Sequence, residues 1–180
     1  MKDRRLRRKR GSLPVLAYVL CVFAPATHAE APLELRNGFI ECGSAQIHAR
    51  AQCYANTPSC ATETLSFARR AGRLIVPLHA NSGLHAGDAK AKTLDYNADS
   101  WACVPGKSGG RYLVVVMRRS ARSPCSECEY SRLYDLNGRL IATDFEFDVK
   151  GQPRASSAGR DVMHEVLGGP GPHAFRSVYP

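Results

Sequence analysis

The sequence has no apolar run long enough to cross a bilayer. The apolar stretch from Leu13 to Ala24 is only 12 residues long, whereas a membrane-spanning helix needs roughly 20. Seven basic residues and one aspartate precede this stretch within the first ten positions, and small residues follow it up to Ala29. This order is typical of a cleavable secretory signal. We therefore expect residues 1–29 to be removed, with Ala26 as an alternative cleavage frame, and no stable membrane span to remain.

Two other export routes fit the N-terminus less well. A lipoprotein signal would use Cys21 as its lipid-bearing residue, but the bulky Leu20 precedes it where a small residue is expected. The arginine pairs at positions 4–5 and 7–8 lack the polar-Arg-Arg-x-apolar context of the twin-arginine route. Ordinary secretion to the periplasm or the medium is therefore the prediction.

The exported part of the chain also lacks a strong excess of charge. The full sequence carries 25 basic and 16 acidic residues and a net charge of +9. Without residues 1–29 these counts fall to 18 and 15, which leaves a net charge of about +3. Proteins that bind nucleic acids present a pronounced basic footprint, so this balance argues against a nucleic-acid partner.

Recognised catalytic and ligand-binding motifs are missing as well. No serine occupies the Gly-x-Ser-x-Gly turn of hydrolases, and Gly168 replaces the second histidine of the zinc-protease pattern that begins at His164. Trp101 stands where a phosphate-binding loop needs its first glycine. Ser100 replaces the glycine of a calcium loop beginning at Asp95. We therefore predict no catalytic residue, no metal and no cofactor.

Six of the seven cysteines lie beyond the predicted signal. An even number of cysteines in an exported chain indicates a disulfide framework, here of three bonds. Several pairings are possible, and joining sequence neighbours first predicts the following one: Cys42 with Cys103, Cys53 with Cys60, and Cys125 with Cys128. The first bond would close the longest loop, so its loss should destabilise the fold most.

The Cys125-Ser126-Glu127-Cys128 motif has the spacing of thiol-disulfide oxidoreductases, which defines an alternative function. In those enzymes the first cysteine is activated at a helix N-terminus. Here a strand-like run follows the motif, and Glu127 between the cysteines would raise the pKa of a thiol. A structural disulfide is therefore the preferred interpretation. Zinc would need a second matching pair, which Cys53 and Cys60 do not supply.

Strand patterns dominate the remaining chain. Runs of β-compatible residues cover 39–54, interrupted by Gly43, and 62–78, where a proline either places the last run at a sheet edge or ends it. The uninterrupted apolar residues from Tyr112 to Met117 predict a strand that is buried on both faces at the centre of the sheet.

A short helix is predicted between a serine cap, Ser156 or Ser157, and a stop at Gly168-Gly169. Taken with the strands, this pattern predicts a mainly β fold: a small antiparallel sheet or sandwich, stapled by disulfides, with one short C-terminal helix. We assign residues 30–168 to this single domain and residues 169–180 to an extended tail.

The Asn137-Gly138 pair predicts a β-hairpin, because it favours the two-residue turn whose twist matches paired strands. Counting from that turn places these residues opposite each other: Leu136 and Arg139, Tyr134 and Ile141, Tyr130 and Phe145, and Cys128 and Phe147. Aromatic residues then share one face, interrupted by Arg132 and Thr143, while acidic residues occupy the other face.

Five carboxylates converge on that second face of the predicted hairpin: Glu127, Glu129, Asp144, Glu146 and Asp148. Glu129 falls opposite Glu146, and like charges that face each other destabilise a strand pair mildly. A solvated face that discourages aggregation is the plain explanation. The functional explanation is a docking face for a basic protein.

Because no catalytic motif is present, the sequence favours an exported, non-catalytic protein-binding domain. An inhibitor or immunity-type protein that binds a basic partner through the acidic hairpin face is the leading hypothesis. The alternatives are an envelope thiol-disulfide oxidoreductase that uses Cys125 and Cys128, and a structural subunit of an envelope assembly.

Overall fold

A computed structural model describes residues 32–69, 72–78, 96–120, 129–147, 153–168 and 174–180. The predicted signal and the Cys125–Cys128 motif lie outside these ranges. Within them the protein is mostly β, with antiparallel sheets and one short helix, as the sequence predicts. No helix in the described part of the chain is long and apolar enough to span a bilayer.

The first sheet is a four-stranded antiparallel meander. Its strands lie side by side in chain order: β1 (Leu33–Cys42), β2 (Ala45–Tyr54), β3 (Cys60–Arg69) and β4 (Gly72–Pro77). The strand runs predicted for this part of the chain are present, and β4 is an edge strand that ends at Pro77. Proline has no N–H for a neighbouring strand, so a sheet edge is where it is expected.

The second large sheet has five strands. Their spatial order is β11 (Arg176–Ser177), β5 (Tyr96–Pro105), β6 (Arg111–Arg119), β7 (Glu129–Asp135) and β8 (Leu140–Thr143). The central strand is β6, and its successive residues Leu113, Val114 and Val115 are all buried. This confirms the strand that its apolar run predicts. Two short strands, β9 (Phe145–Phe147) and β10 (Pro153–Ala155), pair separately with each other.

The two large sheets pack face to face around one core. Five of its large side chains, at most 1 % exposed, show how evenly the strands contribute: Ile47, Leu65, Trp101, Val115 and Tyr134. Burial of apolar surface on this scale is the main stabilising term of such a fold. The disulfide between Cys42 in β1 and Cys103 in β5 connects the two sheets covalently.

The helix α1 (Ser157–Leu167) covers the opposite face of the second sheet. Its Met163, Val166 and Leu167 pack on a smaller cluster of buried residues: Ala102, Val104, Val114, Leu133 and Ala142. The hairpin face that the alternation pattern assigns to acidic residues and solvent is therefore partly buried beneath the helix. The helix begins after Ser156 and ends at Gly168, so both predicted caps are confirmed.

Replacing Ser156 with alanine is expected to lower the free energy of unfolding by about 1 kcal/mol. The Ser156 hydroxyl accepts a hydrogen bond from the Gly159 N–H at 3.3 Å, and alanine leaves that N–H without a side-chain acceptor. Chemical denaturation of both proteins measures the difference. The exposed Ser157→Ala change is the matched control, and equal losses in the two variants would contradict a capping role.

The hairpin between β7 and β8 forms, but the predicted two-residue turn is wrong. Asp135 N donates to Arg139 O and Gly138 N donates to Asp135 O, both at 3.0 Å, so three residues make up the loop. Gly138 has a φ of +78°, whereas Asn137 does not share the positive φ that the tight turn requires at both positions. The Asp135 carboxylate favours the longer loop, because its Oδ1 accepts from the N–H groups of Asn137 and Arg139.

The longer loop changes the register only beside the turn. Tyr134 lies opposite Leu140 rather than Ile141, next to an irregularity in the ladder. Beyond it the pairs follow the predicted count: Leu133 with Ala142, and Arg132 with Thr143. The rings of Tyr130 and Phe145 stack with centroids 4.4 Å apart, although Phe145 belongs to β9.

The described part of the C-terminal tail, residues 174–180, is part of the fold. Its strand β11 pairs with β5, and Val178 N donates to Asp99 O at 3.0 Å. Val178 is fully buried, and its carbonyl oxygen lies so close to Gly38 of β1 that an added Cβ would clash with it. Because glycine alone has no Cβ, it permits this approach of two backbones. The tail thereby brings Tyr179 to the Glu63 side chain of β3.

Two of the three predicted disulfides are present, Cys42–Cys103 and Cys53–Cys60. Both are consistent with folding in an oxidising compartment. The third predicted pair, Cys125–Cys128, lies outside the described residues and stays a prediction.

Candidate functional site

Two acidic residues of the predicted docking face lie in ion pairs. Glu129 is the register partner of Arg118 on the neighbouring strand, and its Oε1 lies 2.6 Å from Arg118 Nη2. Glu146 lies opposite Arg154 of β10 rather than opposite Glu129, and the two side chains are 3.0 Å apart. The like-charge apposition that the sequence suggests is therefore replaced by two opposite-charge pairs, because β9 leaves the hairpin ladder to pair with β10.

Asp144 is half-buried where the hairpin gives way to β9. Its Oδ1 accepts a hydrogen bond from Ser131 N at 2.7 Å, and its backbone carbonyl accepts from Ser156 N. Burial raises the pKa of Asp144 above its ordinary value, against the opposing hydrogen bond from Ser131. Asp144 thus joins the hairpin to the helix start. The other two predicted residues, Glu127 and Asp148, lie outside the described residues.

A polar pocket opens at the end of the sandwich that the C-terminal tail reaches. Its volume is about 150 Å³, which is room for a group of a few non-hydrogen atoms. We name it the Glu63 pocket after the buried side chain that lines it. The residues important for its chemistry are Arg36, Glu63, Asn97, Asp99, Arg118, Arg119 and Tyr179.

Glu63 occupies an inward position of β3 and is 0 % exposed. Its Oε2 accepts a hydrogen bond from Ala98 N at 2.9 Å. The pairing of β5 with β6 shifts between Ala98 and Ser100, so the carboxyl supplies an acceptor where the ladder is irregular. One oxygen of Glu63 therefore has a structural role.

Burial raises the pKa of Glu63 from its ordinary value of 4.5 to about 7. Removal from water disfavours the charged form, and this outweighs the Ala98 hydrogen bond, the Tyr179 phenol and the charge of Arg132, all of which favour it. The side chain thus changes its charge near neutral pH. Arg132 alternates in phase with the core residues Tyr130 and Tyr134 of β7, and its guanidinium lies over the Tyr130 ring, 5.5 Å from the centroid.

Three buried polar atoms of the Glu63 pocket have no hydrogen-bond partner among the described residues: Glu63 Oε1, Asn97 Oδ1 and the Tyr179 hydroxyl. The Tyr179 phenol is close enough to the Glu63 carboxyl that burial and this negative neighbour together raise its pKa, but it does not reach hydrogen-bond geometry. The Asn97 amide nitrogen is already engaged, since Nδ2 donates to Pro58 O and to Ser120 Oγ. An unpaired buried polar atom is costly, by about 1–3 kcal/mol, so three in one pocket require an explanation.

Guanidinium groups give the Glu63 pocket an excess of positive charge. Arg118 is bound through Nη1 to Asp99 Oδ1 at 3.1 Å, and its side chain remains 55 % exposed. Arg36 donates from Nη2 to Thr57 O at 3.0 Å. Together with Arg119, these side chains provide three cations in the lining against the Asp99 carboxylate and the titrating Glu63. Two carboxylates outside the lining also pair with them, Glu129 with Arg118 and, at 3.9 Å, Glu34 with Arg36.

Sequence reasoning missed this site, although one signal for it is present. Glu63, Leu65 and Phe67 alternate in phase, so a carboxylate stands in the core-facing register of an apolar strand. The segment around Asn97 resembles an incomplete calcium loop in the sequence, and its pattern does not predict β5. No local signal brings Tyr179 to Glu63, because that contact depends on the path of the tail.

Comparisons with protein-family models, with curated proteins and with solved structures gave no match. The chemistry of the Glu63 pocket is therefore the basis on which a function is assigned to this chain.

Proposed function

We propose that this protein is an exported, non-catalytic binding protein whose ligand inserts a small polar group into the Glu63 pocket. The observation that carries the proposal is the set of three unpartnered polar atoms on Glu63, Asn97 and Tyr179 in one cavity of about 150 Å³. Polar groups that converge on one concave site are what fixes the orientation of a small ligand and makes its binding specific. The two disulfides are consistent with export.

Binding accounts for the pocket better than catalysis does. The two serines that line it are engaged, since Ser120 Oγ accepts from Asn97 Nδ2 and Ser177 Oγ donates to the Tyr179 carbonyl at 2.8 Å. No histidine is among the described residues that line it. An activated serine nucleophile needs a neighbouring base, which is most often a histidine.

Like the sequence-based hypothesis, this proposal describes a non-catalytic binding protein. It places the binding site in the Glu63 pocket instead of on the acidic hairpin face. In the acidic hairpin, Glu129 and Glu146 pair with arginines of the same chain, which reduces the negative charge available to a basic partner. The Glu63 pocket, by contrast, brings together three residues that carry unpaired buried polar atoms. A partner protein that binds there would insert a polar side chain or a chain terminus.

The test is a binding experiment with small probes on the purified protein. Acetate, methylammonium, acetamide and phosphate are titrated separately while the amide NMR resonances of Ala98 and Asp99 are followed. These two residues line the pocket, and Ala98 N donates to Glu63. We expect at least one probe to shift both resonances in a saturable way.

A blocking variant makes the result specific. Ser177 is exposed and lines the pocket, so Ser177→Trp should fill the entrance and abolish the shifts. Ala174→Trp places the same side chain at an exposed position of the same tail and should leave them intact. Absence of saturable binding by all four probes, or equal shifts in the Ser177→Trp variant, would overturn the proposed function.

A further inference from the structure

The Glu63 pocket also indicates which chemical group it accepts. Resting on the proposed function, we propose that the bound group is a carboxylate, and that it is bound together with a proton held on Glu63. The source of the carboxylate is either a free small acid or the polypeptide of a partner.

The charges of the lining select an anion. Three guanidinium groups line the cavity, and of these Arg118 is paired with both Asp99 and Glu129. Arg36, whose Nη2 makes a long contact of 3.9 Å with Glu34 Oε2, and Arg119 are the cations that attract a negative group. The planar arginine fork matches a carboxylate, with two parallel N–H···O bonds as the favoured geometry. A cationic ligand would meet the same arginines and be repelled.

The unpartnered oxygen of Glu63 favours a ligand with a single negative charge, and it requires Glu63 to be protonated when that ligand binds. Oε1 is buried, belongs to a residue that lines the cavity, and has no hydrogen-bond partner among the described residues. If Glu63 is ionised, a bound carboxylate faces a second negative charge. If Glu63 is protonated, Oε1 becomes an O–H donor to the carboxylate, which also relieves its own lack of a partner. The Tyr179 hydroxyl is a further donor at the same place.

Glu63 is the group expected to titrate with ligand binding near neutral pH. Its charged neighbours on every packed strand are Arg36 of β1, Asp99 of β5, Arg118 and Arg119 of β6, Arg132 of β7 and Tyr179 of the tail. Arginines stay charged throughout this range, Asp99 is bound by Arg118, and the pKa of Tyr179 lies above its ordinary value. Because the pKa of Glu63 is about 7, affinity should fall about tenfold per pH unit above that value.

Isothermal titration of acetate into the purified protein tests the proposal. We expect affinity to weaken about 30-fold between pH 6 and pH 8.5, although acetate stays ionised over the whole range. At pH 8, runs in two buffers of different ionisation heat should show uptake of about one proton per acetate bound. Binding of constant strength across this range, or binding without proton uptake, would overturn the role of Glu63.

Two variants test separately the proton on Glu63 and the positive charge of Arg36. Glu63→Gln keeps a permanent donor at this position, so acetate binding should persist and lose its pH dependence. Arg36→Gln should weaken binding about tenfold, since a charged donor is lost. Arg154→Gln, at an exposed arginine that pairs with Glu146 outside the pocket, is the control and should bind as the wild type does. Equal effects at Arg36 and Arg154 would contradict recognition of a carboxylate by the pocket.

Two further comparisons complete the test. One identifies the source of the carboxylate, and the other separates a failure of this inference from a failure of the proposed function. A short peptide with a free C-terminal carboxylate is compared with its amidated form, and tighter binding of the free form than of acetate identifies a polypeptide source. If acetamide, methylammonium or phosphate binds and acetate does not, this inference is wrong while the proposed function stands. If none of these probes binds, both are wrong.

Discussion

Removal of the Cys42–Cys103 disulfide by the double substitution Cys42→Ala/Cys103→Ala is expected to lower the free energy of unfolding by about 4 kcal/mol. The bond joins β1 to β5 across a sequence separation of 61 residues. A crosslink over so long a loop removes many conformations from the unfolded chain, so its loss restores their entropy. Both sulfurs lie between the two sheets, and the variant must hold the sandwich together by packing alone.

The second disulfide provides the matched comparison. Cys53 and Cys60 are separated by only 7 residues and both are buried, so Cys53→Ala/Cys60→Ala should lower the free energy of unfolding by only about 2 kcal/mol. Urea denaturation of the three proteins under identical oxidising conditions measures both differences. Equal losses would show that local packing around each bond, and not loop length, sets its contribution.

The free energy of unfolding is also expected to fall by about 3 kcal/mol as the pH rises from 4.5 to about 7, through Glu63 alone. In this range the carboxyl is protonated in the folded protein and ionised in the unfolded chain, so unfolding releases a proton. The stabilisation is complete below pH 4.5, the ordinary value, and is lost as the pH passes the folded pKa of about 7. Above that pH both states are ionised and the contribution stays constant.

Comparison with the Glu63→Gln variant isolates this contribution from those of other titrating groups. Glutamine resembles the protonated carboxyl, so the variant should match the wild type near pH 4.5 and exceed its free energy of unfolding by about 3 kcal/mol at pH 8. Glu146→Gln, which removes an exposed carboxylate paired with Arg154, should change the pH profile little. Parallel profiles for the wild type and Glu63→Gln would mean that Glu63 does not titrate between the two states as described.

The acidic hairpin shows which features a local sequence pattern can predict and which it cannot. Period-2 alternation and the Asn137-Gly138 pair correctly predict a hairpin here, because both signals arise within a few residues of the turn. The turn type depends on the Asp135 carboxylate, which favours a three-residue loop. The charge of the face depends on Arg118 and Arg154, which belong to other strands.

The candidate site could not be predicted from the sequence. A glutamate in the core-facing phase of β3 is visible in the sequence, but its meaning depends on what surrounds it. Asn97 comes from β5. Polar residues and an irregularity in its pairing with β6 disturb the alternation pattern by which such a strand is predicted. Tyr179 comes from a tail with little periodicity, which enters the fold through Val178 and the space left by Gly38.

By itself, the sequence determined the local elements of this protein: most of its strands, the capped helix and the proline at an edge, together with an even cysteine number that indicates disulfides. The elements follow from side-chain periodicity and turn chemistry, which act over short stretches of chain, whereas the pairing of Cys42 with Cys103 and of Cys53 with Cys60 was one of many that six cysteines allow. Only the tertiary structure decided that the acidic face is paired with arginines and that Glu63, Asn97 and Tyr179 share a pocket. The reason is physical: burial and charge are set by neighbours from distant segments, and no local pattern specifies which segments meet.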